Sequence, residues 1–292
     1  MRKGAFSRTA LAACALRAVH REQDQPCLLD DPHAVRLLHD ADHAIAKLPP
    51  WVHALDRRGL RILHGARGHI VARTLWAEEL LQQAVAAGQT HQYLILGAGL
   101  DSFAWRRPDW ALKLPIIEID HPDTQAEKKA RAQRLGSPGP HRYLPVDFRG
   151  DSLRRALAAD PNLSQRPSLV SWLGVTPYLP WETVLKTLMD LHAVLAPGSR
   201  LVFDFAEDFR RLPRMQLATL GAALMAVGVA ARGERFYNHR RDLAGLQGAW
   251  RVTGWQPEQV LDEAAVNLRF FGTQPEGLRT IPGTGLACLI RP

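Results

Sequence analysis

The chain has 292 residues, 46% hydrophobic and 23% charged, an average globular composition that excludes disorder, collagen and coiled coil. No stretch approaches the roughly 20 uninterrupted apolar residues that cross a bilayer, so no membrane partner is expected. The 37 basic and 29 acidic side chains give a net charge of +8, which favours anionic partners. The arginines are scattered rather than blocked, however, and nucleic-acid binding is not expected.

Cys14, Cys27 and Cys288 lie too far apart for a CxxC motif or a disulfide framework, and the 12 histidines form no HExxH or His/Cys set. No metal is expected. Arg2 and Lys3 followed by Thr9 to Leu16 faintly imitate a secretory leader, but Arg8 and Arg17 bracket a run of only eight residues. The expected location is cytoplasmic.

In chain order, residues 1–88 read as a helical block without strand signals. Asp30-Asp31-Pro32 suits the first turn of a helix running to about His39, and Pro49-Pro50 makes a second break. Apolar residues at Ile62, Ala66, Ile70, Leu75, Leu80, Leu81 and Val85 predict a helix over 62–87 that stops at Gly88. A short continuous apolar run then begins at Tyr93 to Leu96, and similar runs recur at Ile116 to Ile119, Leu169 to Leu173 and Leu201 to Phe205, each with one polar residue inside it, Glu118, Ser171 and Asp204. These predict buried parallel strands. Tyr143 to Val146 adds a strand that Pro145 makes short or near an edge. Helical patterns at Pro122 to Leu135 and Trp181 to Leu195 alternate with these runs, which predicts an open, doubly wound α/β sheet over 89–292. Further helices are expected over 213–229 and 257–265, and Gly285 to Ile290 closes the sheet as a last strand.

In such sheets the ligand sits beyond the carboxyl ends of the strands. The first strand ends in Gly97-Ala98-Gly99-Leu100-Asp101-Ser102, where glycines allow a tight turn and close approach to a ligand. Asp120 closes the second strand 21 residues after Gly99, placed to accept hydrogen bonds from two ribose hydroxyls. A dinucleotide fingerprint would have Gly or Ala in place of Ser102 and a long helix that Pro108 here interrupts. NAD is therefore disfavoured, and S-adenosyl-L-methionine, which has a ribose but no phosphate, fits. Asp147 and Phe148 follow the third strand, a carboxylate for an adenine amino group and a ring for its face.

In this order the motifs resemble those of the leucine carboxyl methyltransferase family, in its bacterial branch, which is also similar to a polyketide O-methyltransferase. The resemblance is carried by Ser7-Arg8-Thr9-Ala10, Leu29-Asp30-Asp31-Pro32, Ala72-Arg73-Thr74, Leu96 to Ser102, Glu118 to Pro122, Pro145 to Phe148, Gly174 to Leu179 and Pro197-Gly198-Ser199, about two-thirds of the chain. It implies a class I methyltransferase: a mainly parallel, seven-stranded, Rossmann-like sheet with one reversed strand, under a helical N-terminal cover. It further implies that Arg73 binds the cofactor carboxylate, Gly97 and Gly99 approach the methionine part, Asp120 the ribose, and Asp147 with Phe148 the adenine. Arg17 is a weaker candidate beside Arg73.

One departure matters: the resemblance implies Glu-Gly after the fourth strand, as in many relatives, where this chain has Leu173-Gly174, and leucine cannot bond an ammonium. The expected activity is O-methylation of a small-molecule carboxylate or hydroxyl, with an acidic or phenolic acceptor. The alternative is a catalytically degenerate protein that binds S-adenosylmethionine or S-adenosylhomocysteine. His121 and Tyr178 lie near strand ends, but His121 precedes Pro122 as a helix-entry residue would, and no catalytic base is assigned. Phe236 to Arg241 is an aromatic and basic cluster able to receive an acidic substrate, although a solvated loop is the simpler reading. Trp51, Trp76 and Trp105 are expected in cores.

Overall fold

The computed structural model describes residues 7–38, 62–148, 153–214, 216–217, 236–272 and 277–292. Its helices are α1 (Arg8–Gln23), α2 (Pro32–Leu37), α3 (Ile62–Ala86), α4 (Pro122–Ala132), α5 (Leu153–Ala158), α6 (Asn162–Gln165), α7 (Trp181–Val194), α8 (Leu243–Val252) and α9 (Glu263–Phe271). Its strands are β1 (Tyr93–Leu96), β2 (Ile116–Asp120), β3 (His141–Pro145), β4 (Leu169–Trp172), β5 (Arg200–Ala206), β6 (Gln256–Leu261) and β7 (Thr284–Ile290). The sheet order is β3-β2-β1-β4-β5-β7-β6, and β7 alone runs antiparallel to its neighbours.

Successive side chains of a strand point to opposite faces, so each apolar run feeds two cores at once. Leu94, Leu96, Leu201, Phe203 and Phe205 face one way, where Val184, Leu188 and Leu191 of α7 meet Trp172, Trp250 and Trp255. Tyr93, Ile95 and Val202 face the other, against Trp76, Leu80 and Leu81 of α3 together with Phe103 and Val266. A third, smaller cluster joins Leu11, Cys14 and Ala15 of α1 to Ala34 and Leu37 of α2 and to Leu100 after β1.

Local signals account for most boundaries. Ser7 and Asp31 accept from the backbone N–H three residues on and so cap α1 and α2. The Glu127–Arg131 pair expected on α4 forms at 2.8 Å. β3 lies at the sheet's edge, where the missing N–H of Pro145 is tolerated. Trp76 is fully buried and Trp105 packs at the margin of two clusters, whereas Trp51 and the Pro49-Pro50 break lie outside the described residues. Of the helix expected over 213–229, Pro213 is not helical, 214, 216 and 217 are, and the rest falls outside the described residues.

The helix expected over 257–265 is corrected. Gln256–Leu261 is instead edge strand β6, paired antiparallel with β7 through a register irregularity between Pro257 and Gln259. The helix begins only at Glu263, capped by Asp262. Pro257 suits a helix start and an edge strand equally well, and the β7 partner decides between them.

Candidate active site

A cavity of about 350 Å³, within the usual range for small-molecule sites, opens at the carboxyl ends of β1, β2, β4 and β5. Its floor is the turn after β1, and α1 and α3 close it from above. Gly99 has φ +47°, and a Cβ there would lie 2.8 Å from the Cβ of Ala10, so only glycine lets α1 seat directly on this turn. The seat is locked by charge. Arg17 donates to Asp31 Oδ2 at 2.9 Å and to the Leu100 carbonyl at 2.6 Å, and the buried Ser102 hydroxyl donates to the same Asp31 oxygen at 2.6 Å. Burial works against ionised Asp31, but Arg17 and Arg106 outweigh it and keep the carboxyl below its ordinary value. Arg17 thus holds the cover through Nε and Nη2 while also lining the cavity, and the bond to Asp31 gives Ser102 a role where a dinucleotide site would have a small apolar residue.

Arg73, Gly97, Gly99, Asp120, Asp147 and Phe148 all line this one cavity. Asp120 accepts from the N–H of Gly99 and of His121, each at 2.6 Å. Burial raises its carboxyl above the ordinary value, with those two donors pulling the other way. It lines the cavity, and each oxygen accepts one backbone N–H, which leaves acceptor capacity for hydroxyl recognition. His121 caps α4 by accepting from the Asp123 N–H at 3.2 Å, which bears out its reading as a helix-entry residue. Asp147 and Phe148 lie beyond β3, with His121 Nε2 3.7 Å from Asp147 Oδ2. After β1 the chain turns without an α-helix, reaching only a single 3-10 turn at Asp109–Ala111.

Two residues of the site escaped the sequence reading. Asp204 of β5 is buried among Phe203 and Phe205, and His69 lies one helical turn before Arg73 on α3. Arg73 Nη1 donates to Asp204 Oδ2 at 2.9 Å, His69 Nε2 lies 3.0 Å from the same oxygen, and the Gly174 N–H donates to Oδ1 at 2.6 Å. His69 Nδ1 is 2.7 Å from the Thr280 hydroxyl, which fixes the ring. Burial alone would raise the Asp204 carboxyl; Arg73, then His69 and the Gly174 N–H, outweigh it and hold it far below the usual carboxylate range. The available signal was an acid inside an apolar strand, since buried carboxylates are almost always paired.

Leu173 and Gly174 line the cavity between these groups. The segment from Phe236 is docked rather than free: Phe236 lines the cavity 6.0 Å from the Tyr178 ring, the Tyr237 N–H donates to the Pro177 carbonyl, and Arg241 lies over Trp181. No group of His, Cys, Asp and Glu able to hold a metal occurs among the described residues.

The sheet order with one reversed strand, and the cavity at its carboxyl edge, define the class I methyltransferase fold. Solved structures agree: a DUF574 family protein from Streptomyces avermitilis aligns with TM-score 0.59 at 13% identity over 96% of this chain and 97% of that one. A "putative methyltransferase" from Thermobifida fusca aligns with TM-score 0.59 at 16% identity over 98% and 95%. The leucine carboxyl methyltransferase model matches residues 10–192, and the chain belongs to that family. Two relatives bear the name "Putative S-adenosyl-L-methionine-dependent methyltransferase". YktD of Bacillus subtilis (strain 168) is 30% identical over 71% of this chain and 73% of its own length. A Mycolicibacterium smegmatis protein is 32% identical over 84% and 83%.

Proposed function

We propose that this chain is an S-adenosyl-L-methionine-dependent O-methyltransferase whose acceptor is a carboxylate or hydroxyl of a small molecule. The observation that carries the reading is the convergence of Arg73, Gly97, Gly99, Asp120, Asp147 and Phe148 on one cavity beneath α1. The residues present fit such a cofactor. Asp120 offers acceptors to the ribose, Phe148 a ring and Asp147 a carboxylate to the adenine, Gly97 and Gly99 a close backbone approach, and Arg73 a guanidinium to the carboxylate. When bound, the cofactor would supply a sulfonium-activated methyl group for an acceptor oxygen, with the thioether as leaving group.

The chain's own work is positioning and exclusion of water. Packing of α1 on Gly99 covers the reacting end, with residues 1–88 as the cover and 89–292 as the cofactor-binding unit of one integrated body. Phe205, Phe209, Phe236, Tyr178, Leu179 and Ile281 line the wall beside β5 and support an acceptor with an apolar or aromatic body. An ionised carboxylate releases no proton on methylation and a phenol releases one, so the first needs no base. The three cysteines are free, in keeping with a cytoplasmic setting. Leu173 on the cavity wall supports a second reading, a protein that binds the cofactor without transferring its methyl group.

Calorimetric titration with S-adenosylmethionine, S-adenosylhomocysteine and NAD tests the first step. The expected result is micromolar binding of the two sulfur nucleosides and none of NAD. Methyl transfer from labelled cofactor to a panel of carboxylic acids and phenols then separates the two readings: label in an acceptor supports the enzyme, and tight binding without transfer across the panel supports the binding protein.

A further inference from the structure

The cavity holds an arginine and an aspartate side by side, Arg73 and Asp204, and the geometry points to Asp204 as the acceptor for the cofactor's α-ammonium, with Arg73 taking the α-carboxylate of the same carbon. This rests on the cofactor reading above and supplies the ammonium partner that Leu173 cannot be.

Covalent geometry limits the choice. The ammonium nitrogen and carboxylate oxygens of one amino acid lie within about 3 to 3.5 Å of each other, so a carboxylate that takes the ammonium must sit beside the guanidinium that takes the carboxylate. The carboxylates lining the cavity among the described residues are Asp101, Asp120, Asp147 and Asp204. Asp204 is in contact with Arg73, at 2.9 Å. Asp120 and Asp147 sit beyond β2 and β3, on the far side of β1, and Asp101 Oδ1 is used by the Phe103 N–H at 2.8 Å.

Asp204 also retains capacity. A carboxylate has about four lone-pair sites. Oδ2 serves Arg73 and His69, whereas the single donor found on Oδ1 is the Gly174 N–H at 2.6 Å, which leaves a site on the oxygen nearest the 173–174 turn. That turn is built to allow the approach: Gly174 has φ +69°, and a Cβ there would lie 2.5 to 2.8 Å from the Arg73 guanidinium. His69, tied to Thr280, helps hold the carboxylate still. The arrangement is an ion pair whose two ends match the two charges of an amino acid.

The test is calorimetric binding of S-adenosylhomocysteine and its deamino analogue to the full chain. The wild type is expected to prefer the amino compound by roughly 10- to 150-fold, the range for a charged hydrogen bond. Asp204→Asn is expected to weaken S-adenosylhomocysteine by that factor and leave the deamino analogue unchanged, while Asp101→Asn keeps the full preference. A wild type that binds both compounds equally, an Asp204→Asn protein that keeps the preference, an equal loss for both ligands, or loss of the preference in Asp101→Asn would each overturn the assignment. Leu173→Glu serves where Asp204→Asn does not fold. If Asp204 already holds the ammonium, the added acid raises affinity for S-adenosylhomocysteine less than threefold; a tenfold gain or more means the ammonium was unserved. Failure of the wild type to bind any sulfur nucleoside would instead sink the cofactor reading itself.

Discussion

Asp120 closes β2 and Asp204 lies two residues before the end of β5, with β1 and β4 between them, and the same cavity touches both. Asp120 is held by two backbone N–H groups, and burial raises its carboxyl. Asp204 is equally shut in by its strand, yet Arg73 and His69 drive its carboxyl the other way. The difference shows how one pocket can serve two chemistries. A carboxylate fixed by neutral dipoles suits neutral hydroxyl donors, and one set in a cluster of charge suits a charged ligand.

The largest effect that would break this contrast is removal of the cation at the Asp204 end. Arg73→Met strands a buried carboxylate and is expected to cost about 3 kcal/mol of stability, the lower end for breaking a buried pair because the cavity admits water. Urea unfolding checks this, and a change below about 1 kcal/mol would mean that His69 and solvent suffice. At the other end the effect is on binding. Asp120→Ala is expected to lower affinity for S-adenosylhomocysteine roughly 10- to 150-fold with a smaller shift in the unfolding midpoint. Unchanged affinity would remove the ribose assignment.

Between the two ends lies the seat of α1. Gly99→Ala places a side chain at positive φ against Ala10 and is expected to cost about 1 to 2 kcal/mol. Adding Ala10→Gly should recover part of that loss, and strict additivity in the double-mutant cycle would show that the helix does not press on the turn. The smallest and most discriminating effect is in pH. The Asp204 contribution is complete above its unfolded pKa near 3.9 and fades only as pH falls through its depressed folded value, so the deficit of Asp204→Asn should be full at neutral pH and shrink below about pH 4. The Asp120 contribution has the opposite sign. Its raised folded pKa makes it complete below about 3.9 and lost as pH rises, so Asp120→Asn should gain on the wild type from acid to neutral pH. Unfolding midpoints measured from pH 3 to 7 would read both slopes, and parallel slopes would erase the distinction.

The strands most legible in the sequence are those buried on both faces. Tyr93 to Leu96, Ile116 to Ile119 and Leu169 to Trp172 are buried at every position and apolar at all but Glu118 and Ser171, which writes nearly unbroken apolar runs into the chain. Edge strand β6 was misread because Gln256, Glu258 and Gln259 are exposed and only β7 holds the segment in the sheet. The segment at Phe236 read as a loop because nothing near it in sequence reveals that it docks on Pro177 to Leu179. Among site residues, those in turns between elements were visible: Gly97, Gly99, Asp120, Asp147 and Phe148 stand where apolar periodicity stops. Asp204 and His69 were hidden inside elements whose pattern they barely disturb.

The sequence by itself determined the alternation of strand and helix, the glycine turn, the acid closing β2 and the family, because each depends on residues close together in the chain or on an ordered set of short motifs. The tertiary structure alone decided that Arg73 of α3 meets Asp204 of β5, 131 residues away, and that Arg17 is spent on Asp31 and Leu100. Such pairings are made by packing between distant elements. Either charge buried alone would be costly, and only the tertiary fold brings the two together to offset that cost, which no local spacing records.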